Sequence, residues 1–484
     1  MNKNQFKKTF LIIAAVLMMN SGWAQDYSYS LEECIRIAYE KNLTIQRSKI
    51  DVKVSEVTKN QSRMERLPNF NMTANYGANW GRSIDPTTNT FITQQNNSSN
   101  INGQTNLTVF NGLQIANSIK QAHVNYEASE ADLEKARNDV GLNVATLYLN
   151  VIFNQELLSN AQYQLNSTNQ QLDRTKKLVD AGALPVTNLL DLQAQGASNE
   201  VNVINAENSY NLAILNLKQA LLIPAGDPFQ IEIPELNPTA DETVLMTPEQ
   251  IYETAEHVMP EIKSAQLRIE EADLNYKISR GAYMPTLTLS GGFNTNYSSF
   301  ADQDRDIFDG TTTITQPIGY VSTSGDQVLT DAIVPNVVDT RSGFPIGEQY
   351  RENISKSVGV NLSIPVFNRF RTRAEVQRSM LSKYRAEVNS QEVKNQLRQS
   401  IESAYNDMIA ASKTYTANQK QVEALEESFR VIENQYNLGS ANYVDYQVAN
   451  NNLYMAKSDL VRSKFDFIFK QKILDFYLGK SITF

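Results

Sequence analysis

The chain is written twice, and this constrains its fold more than any other feature. SLEECIRIAYEKNLTIQ starts at Ser30 and TPEQIYETAEHVMPEIK at Thr247; the offset of 217 sets Glu32 on Glu249, Ala38 on Ala255, Ile45 on Ile262 and Pro68 on Pro285. Downstream, NLTVFNG from Asn106 matches NLSIPVFNR from Asn361, with Phe110 on Phe367, and the new offset of 257 holds to Gly182 on Gly439. The 40 extra residues of the second copy fall around 298–356. An insertion tolerated there reads as an exposed loop. Both copies open on a helix-start signature: Ser30 with Glu33, and Thr247 with Gln250 and Pro248 at the first position. Each copy then runs helix, break at Asn42 or Pro260, strand, loop, strand, very long helix, glycine turn, helix.

The strands have two faces. In NFNMTANYGANW, Phe70, Met72, Ala74, Tyr76, Ala78 and Trp80 alternate with Asn69, Asn71, Thr73, Asn75, Gly77 and Asn79. The same period of two recurs in NINGQTNLTV, TLTLSGGFNTNY and SVGVNLSI. A soluble sandwich would turn the apolar face to a core; a membrane barrel would turn it to lipid and the amide face to a water-filled lumen. Phe70, Met72, Tyr76, Trp80, Leu287, Leu289, Phe293 and Leu362 are then the lipid-facing positions. Four strands cannot close a barrel, and an open edge in lipid leaves backbone groups unpaired at several kcal/mol each. The edges therefore pair with other copies. Two copies give eight strands, whose side chains fill the interior; three give twelve and room for water, which is the preferred reading, although symmetry does not force it.

The helices suit a tube. No proline interrupts 111–182 or 368–438, and a continuous helix of 72 residues is about 108 Å long. Partner segments at about 44–66, 188–222, 261–283 and 444–478 are roughly half that length, so in each copy two short helices stack end to end along one long one. Leu142, Ala145, Leu149 and Ile152, and again Leu425, Phe429, Ile432 and Tyr436, step as packing seams do.

The chain opens with Lys3, Lys7 and Lys8 before an apolar run and a small-residue cleavage site ending at Ala24, a secretory signal peptide over 1–24. Cleavage takes the formal charge from −9 to −12, which argues against nucleic acid as a partner. The single cysteine, Cys34, excludes an internal disulfide and reads as a small buried hydrophobe. His123 and His257 stand apart, so no metal or cofactor site is expected. Asp302, Asp304 and Asp306 begin the spacing of a calcium loop, but Ile307 and Thr313 replace its glycine and glutamate; an acidic surface loop accounts for them. No phosphate-cradling motif, nucleophile elbow or histidine triad points to an enzyme. The expected organisation is a first repeat over 25–223 with strands about 69–80 and 100–110, a linker or equatorial segment over 224–247 with IEI as a short strand, and a second repeat over 248–484 with strands about 286–297 and 357–366.

SLEECIRIAYEKN and its echo at 247, with the turns VDAGALPVTNLLD (179–191) and YNLGSANYVDYQVA (436–449), resemble the TolC family of outer-membrane factors along almost the whole chain. The resemblance implies a mainly α fold with β: a trimeric 12-stranded transmembrane β-barrel, four strands per chain, in the bacterial outer membrane, continued by a long α-helical barrel in the periplasm. It implies the outer-membrane channel of a tripartite efflux or type I secretion system. Its partners would be a homotrimer of itself, a periplasmic adaptor (membrane fusion) protein, an inner-membrane pump of RND or ABC type, and outer membrane lipid. It places adaptor docking at Gly182, Ala183, Leu184, Gly439, Ser440 and Ala441, and a tip constriction at Asp445, Asp191 and Tyr436. Val448 and Asn188 stand where further acids could; Tyr436 matches a tip tyrosine that can hydrogen-bond between neighbouring helix pairs, and Ala441 stands where some members carry its arginine partner, so that the resemblance implies an incomplete latch here. A secreted or periplasmic coiled-coil structural or adhesion protein would explain the helices but not the two-faced strands.

Overall fold

The computed structural model describes residues 28–84, 89–93, 95–234, 246–302 and 304–480. The expected signal peptide and part of the linker lie outside them. In chain order the elements are β1 (Ser28–Tyr29), α1 (Leu31–Lys41), α2 (Leu43–Met64), β2 (Asn69–Asn79), β3 (Ser83–Ile84), β4 (Phe91–Ile92), β5 (Asn96–Asn111), α3 (Gln114–Asp180), α4 (Val186–Ala220), β6 (Gln230–Ile231), α5 (Pro248–Val258), α6 (Pro260–Gly281), β7 (Thr286–Ser298), β8 (Arg305–Tyr320), β9 (Gln327–Arg341), α7 (Ile346–Glu352), β10 (Ser355–Ser363), α8 (Arg371–Asn437) and α9 (Tyr443–Tyr477).

Local chemistry sets these boundaries. The Ser30 hydroxyl accepts from Glu33 N–H at 3.2 Å while Glu33 Oε2 accepts from Ser30 N–H at 3.3 Å, a closed capping box; Thr247 and Gln250 make the second. Asn42 is extended, and its Oδ1 accepts from Thr44 N–H at 2.8 Å, so one residue ends α1 and caps α2. Helices α3 and α8 each run 67 residues, about 100 Å at 1.5 Å per residue. They start later than expected because Gly112 and Leu113, and likewise Arg369 and Phe370, have positive φ (66°, 64°, 56° and 60°), which no α-helix accommodates. Strand β10 stops at Ser363, short of the expected 366, since Pro365 has no N–H for a ladder.

The chain divides into two compact units. One holds residues up to Thr58, Ala122–Ala272 and Ser382 onward. Its two apolar cores lie at matching positions of the two copies. Cys34, Ala38, Val144, Val151 and Leu217 fill the first; Ile251, Ala255, Ile401, Met408 and Leu474, at offsets of 217 or 257, fill the second, and all ten are fully buried. Each Leu or Ile so buried contributes about 1.5–3 kcal/mol. Burial pushes the Cys34 thiol up to about 12, helped by Glu33. Beside the first core, β1 and β6 form a parallel pair, with the Tyr148 hydroxyl donating to the carbonyls of Tyr29 (3.2 Å) and Glu232.

The other unit, Lys59–Gln121 with Asp273–Leu381, carries an antiparallel sheet ordered β10-β7-β5-β2. Its register sorts the faces. The rows Phe70–Thr105–Gly291–Val358 and Met72–Gly103–Phe293–Lys356 share one face with Leu107–Leu289–Val360 and Phe110–Leu287–Leu362. Asn71–Gln104–Gly292–Ser357 and Thr73–Asn102–Asn294–Ser355 lie on the other. The ring of Phe293 lies over Gly103, where a Cβ would sit 2.3 Å from Cε1. Strands β2 and β10 each have one edge with no partner strand among the described residues.

The insertion is not the simple loop expected. Strands β8 and β9, 16 and 15 residues long, pair only with each other among the described residues, followed by α7. Runs such as TTTIT and AIVPNVV are rich in β-branched residues, which is why they extend. Gln349, fully buried, fastens the hairpin base: its Oε1 accepts from Ser298 N–H (2.9 Å) and its Nε2 donates to the carbonyls of Ser298 (3.0 Å) and Phe344 (2.6 Å). The aspartates read as a weak calcium motif are engaged here too. Asp302 accepts from Phe344 N–H (2.6 Å), Asp304 from Gly343 N–H (3.1 Å) and Asp306 from the Thr340 hydroxyl (2.7 Å).

Candidate functional site: the helix turns and the two-faced sheet

Both long helices end in the same motif. Gly182 N–H donates to Val179 O (2.9 Å) and Ala183 N–H to Leu178 O (2.8 Å); Gly439 N–H donates to Tyr436 O (3.0 Å) and Ser440 N–H to Gln435 O (2.9 Å). These paired bonds close a Schellman turn, and φ of 72° and 78° at Gly182 and Gly439 is the conformation only glycine adopts freely. Leu184 and Ala441 follow, half-buried, and the glycines, Ala183 and Ser440 are exposed. Asn442 then caps α9, its Oδ1 accepting from Asp445 N–H at 2.9 Å; Pro185 begins α4 without a side-chain cap.

Asp191, in the second turn of α4, and Asp445, in the first turn of α9, are both exposed. Asp445 sits at a helix N-terminus, where the backbone dipole favours its negative charge. With Ile432 and Gln435 of α8, Ala441 of the turn and Val448 of α9 it lines a groove of about 370 Å³. Tyr436 points instead into a cluster that sequence reasoning did not identify: Leu192, Tyr443 and Tyr446, buried, with Leu172, Phe429 and Ile432 against them. Tyr436 stacks on Tyr446 at 5.0 Å between ring centroids and tilts against Tyr443 at 6.3 Å. The spacing of Tyr436, Tyr443 and Tyr446 across the turn was the available signal. The hydroxyls of Tyr436 and Tyr443 are buried with no hydrogen-bond partner among the described residues. Burial raises the Tyr443 pKa, with Tyr436 and Asp191 adding to it, and pushes Tyr446 up to about 12. Arg174 Nη1, donating to Asn437 Oδ1 at 2.5 Å, joins α3 to the end of α8.

On the sheet, Phe70, Met72, Tyr76, Trp80, Leu289 and Leu362 are exposed, and Leu287 and Phe293 half-buried, all in the apolar register. One end of that face is covered by protein. Tyr350 of α7 donates to Ser99 Oγ at 2.7 Å and accepts at its carbonyl from the Thr295 hydroxyl at 2.7 Å. No described helix is long and apolar enough to cross a membrane, and no described group of three or more His, Cys, Asp or Glu is placed to hold a metal.

A family model described as outer membrane efflux protein matches residues 34–221 and 337–479. The chain is 21% identical over 466 residues to the outer membrane efflux protein BepC of Brucella suis, covering 95% of this chain and 87% of that one. It is 22% identical over 339 residues to outer membrane protein TolC of Escherichia coli, covering 70% of this chain but only 61% of that protein's length. Among solved structures, VceC of Vibrio cholerae superposes with a TM-score of 0.71 at 16% identity (93% and 96% of the two chains), and the CmeC outer membrane channel of Campylobacter jejuni with 0.70 at 16% (95% and 87%).

Proposed function

The chain belongs to the outer membrane efflux protein family, and from that premise we propose that it is the passive outer-membrane duct of a tripartite efflux or type I secretion system. The observation that carries this reading is the four-stranded sheet with one apolar face, one amide face and two unpartnered edges. Three copies supply twelve strands, enough for a water-filled barrel in the outer membrane. Helices of 67 residues, each accompanied by shorter ones, would continue it as a periplasmic tunnel. Each chain contributes two repeats, 25–223 and 248–484, joined by 224–247.

In this reading an adaptor docks at Gly182, Ala183 and Leu184 and at Gly439, Ser440 and Ala441. Asp445 and Asp191, repeated threefold, ring the constriction and favour cations over anions. Opening is a movement of paired helices at the turns, driven by an adaptor that binds the open arrangement more tightly. Energy comes from an inner-membrane pump of RND or ABC type. Purified protein in planar bilayers should conduct, with cation selectivity reduced by Asp445→Asn together with Asp191→Asn. Failure to conduct even with those carboxylates neutralised would overturn the proposal.

A further inference from the structure

The two sheet hairpins are the same hairpin, residue for residue. Strand β2 pairs with β5 so that Asn69 faces Asn106 and Thr73 faces Asn102. Adding 217 to the first number and 257 to the second gives Thr286 facing Ser363 and Ser290 facing Gly359, both of which are observed pairs of β7 with β10. Within the chain these two hairpins meet at one seam, β5 on β7. There Asn106 faces Ser290, Thr105 faces Gly291, Gly103 faces Phe293 and Ile101 faces Thr295; beyond a bulge, Phe110 faces Leu287. The free edges are those of β10 and β2, the counterparts of β5 and β7 under the same offsets.

We propose that β10 of one copy joins β2 of the next by this seam transposed, which rests on the oligomeric barrel proposed above and adds its register. Leu362 then faces Ala74 of the neighbouring copy, Val360 faces Tyr76, Val358 faces Ala78, and past the bulge Phe367 faces Phe70. Two independent features agree. All these residues belong to the apolar register, whereas a slip by one would set Leu362 against an asparagine or threonine of the amide face. Val358, Val360 and Phe367 are also among the most exposed apolar side chains of the chain, at 89%, 68% and 75%. The aromatic of the inner seam is kept as well: Phe293 over Gly103 becomes Tyr76 beside Val360.

The transposition also says where the two seams differ. At the inner seam Gly112 approaches Gly281 so closely that a Cβ on Gly112 would lie 2.3 Å from the Gly281 carbonyl oxygen. Their counterparts are Arg369 and Met64. Arg369 keeps the left-handed backbone, φ 56° against 66° for Gly112, but brings a side chain. The seam between copies is therefore wider at this turn than the seam within a copy.

Disulfide trapping tests the register. Ala74 and Leu362 lie on opposite edge strands of one sheet, with two strands between them, too far apart to bridge within a chain. In a Cys34→Ala background, Ala74→Cys with Leu362→Cys should oxidise to covalent trimers on denaturing gels. Ala74→Cys with Val358→Cys, a register aligning the strand ends near the helices, should not. Trapping of the second pair but not the first overturns the proposed register while leaving the trimer intact, as does absence of both in a particle of trimeric mass. A monomeric mass in detergent would instead refute the oligomeric barrel itself. Should the first double variant fail to accumulate, Ala78→Cys with Val358→Cys tests the same register.

Discussion

Tyr443 offers a site where two substitutions should act with opposite sign. Its ring is 8% exposed and packs with Tyr436, Tyr446 and Leu192, while its hydroxyl is buried without a hydrogen-bond partner among the described residues. A buried, unsatisfied polar group costs about 1–3 kcal/mol. Tyr443→Phe removes that cost and retains the ring, so the closed packing of the turn region should gain up to about 1–3 kcal/mol. Tyr443→Ala removes the ring and leaves a cavity, for a loss of about 3–5 kcal/mol. Native-state hydrogen exchange at the amides of residues 430–450 reads both changes directly, because local opening there is governed by this packing. Protection should rise roughly 5- to 150-fold in the Phe variant and fall in the Ala variant. If the Phe variant loses protection, the hydroxyl has a partner in the assembled protein and the reasoning fails. In the proposed duct, slower opening in bilayers should accompany the gain in protection.

Three further outcomes follow from the structure. Tyr443 and Tyr446 have pKa values raised above the unfolded value of about 10, so their contribution is complete below pH 10 and is lost as pH climbs through the folded values; exchange near Gly439 should accelerate between pH 10 and about 12, and less so in a Tyr443→Phe, Tyr446→Phe variant. Cys34 is fully buried with its thiol pushed up to about 12, so maleimide labelling at neutral pH should require denaturant; rapid labelling of the native protein would contradict the packing of α1. Gln349→Leu removes the side-chain bonds to the Ser298 N–H and to the Ser298 and Phe344 carbonyls; proteolytic nicking between 299 and 345 should rise while the core of the other unit is unaffected, and unchanged nicking would show that the clasp is not what fixes the hairpin.

Much of this architecture was legible because its signals are periodic or terminal. The capping residues Ser30 and Thr247, the alternation in NFNMTANYGANW and the glycines at 182 and 439 each act through a local hydrogen bond or a single dihedral angle, which a sequence displays. What escaped depends on distant residues meeting. The aromatic cluster also needs Leu192 from the other helix pair; the spacing of Tyr436, Tyr443 and Tyr446 signals the tyrosines' meeting across their turn, but nothing local signals Leu192. The long hairpin escaped because an insertion has no counterpart in the first copy to reveal it, and its Thr-rich strands lack a clean two-faced alternation. The starts of α3 and α8 were displaced by pairs of left-handed residues, of which only Gly112 carries a compositional signal; Leu113, Arg369 and Phe370 do not.

The bare flanks of β2 and β10 bear on biogenesis. A solitary copy pushed into hydrocarbon would strand the backbone along 11 residues on one side and 9 on the other, at several kcal/mol for each lost bond. In the proposed oligomeric barrel, entry into the bilayer and pairing of sister chains would therefore be one thermodynamic event, since each chain's exposed strand edges are satisfied only by its neighbours.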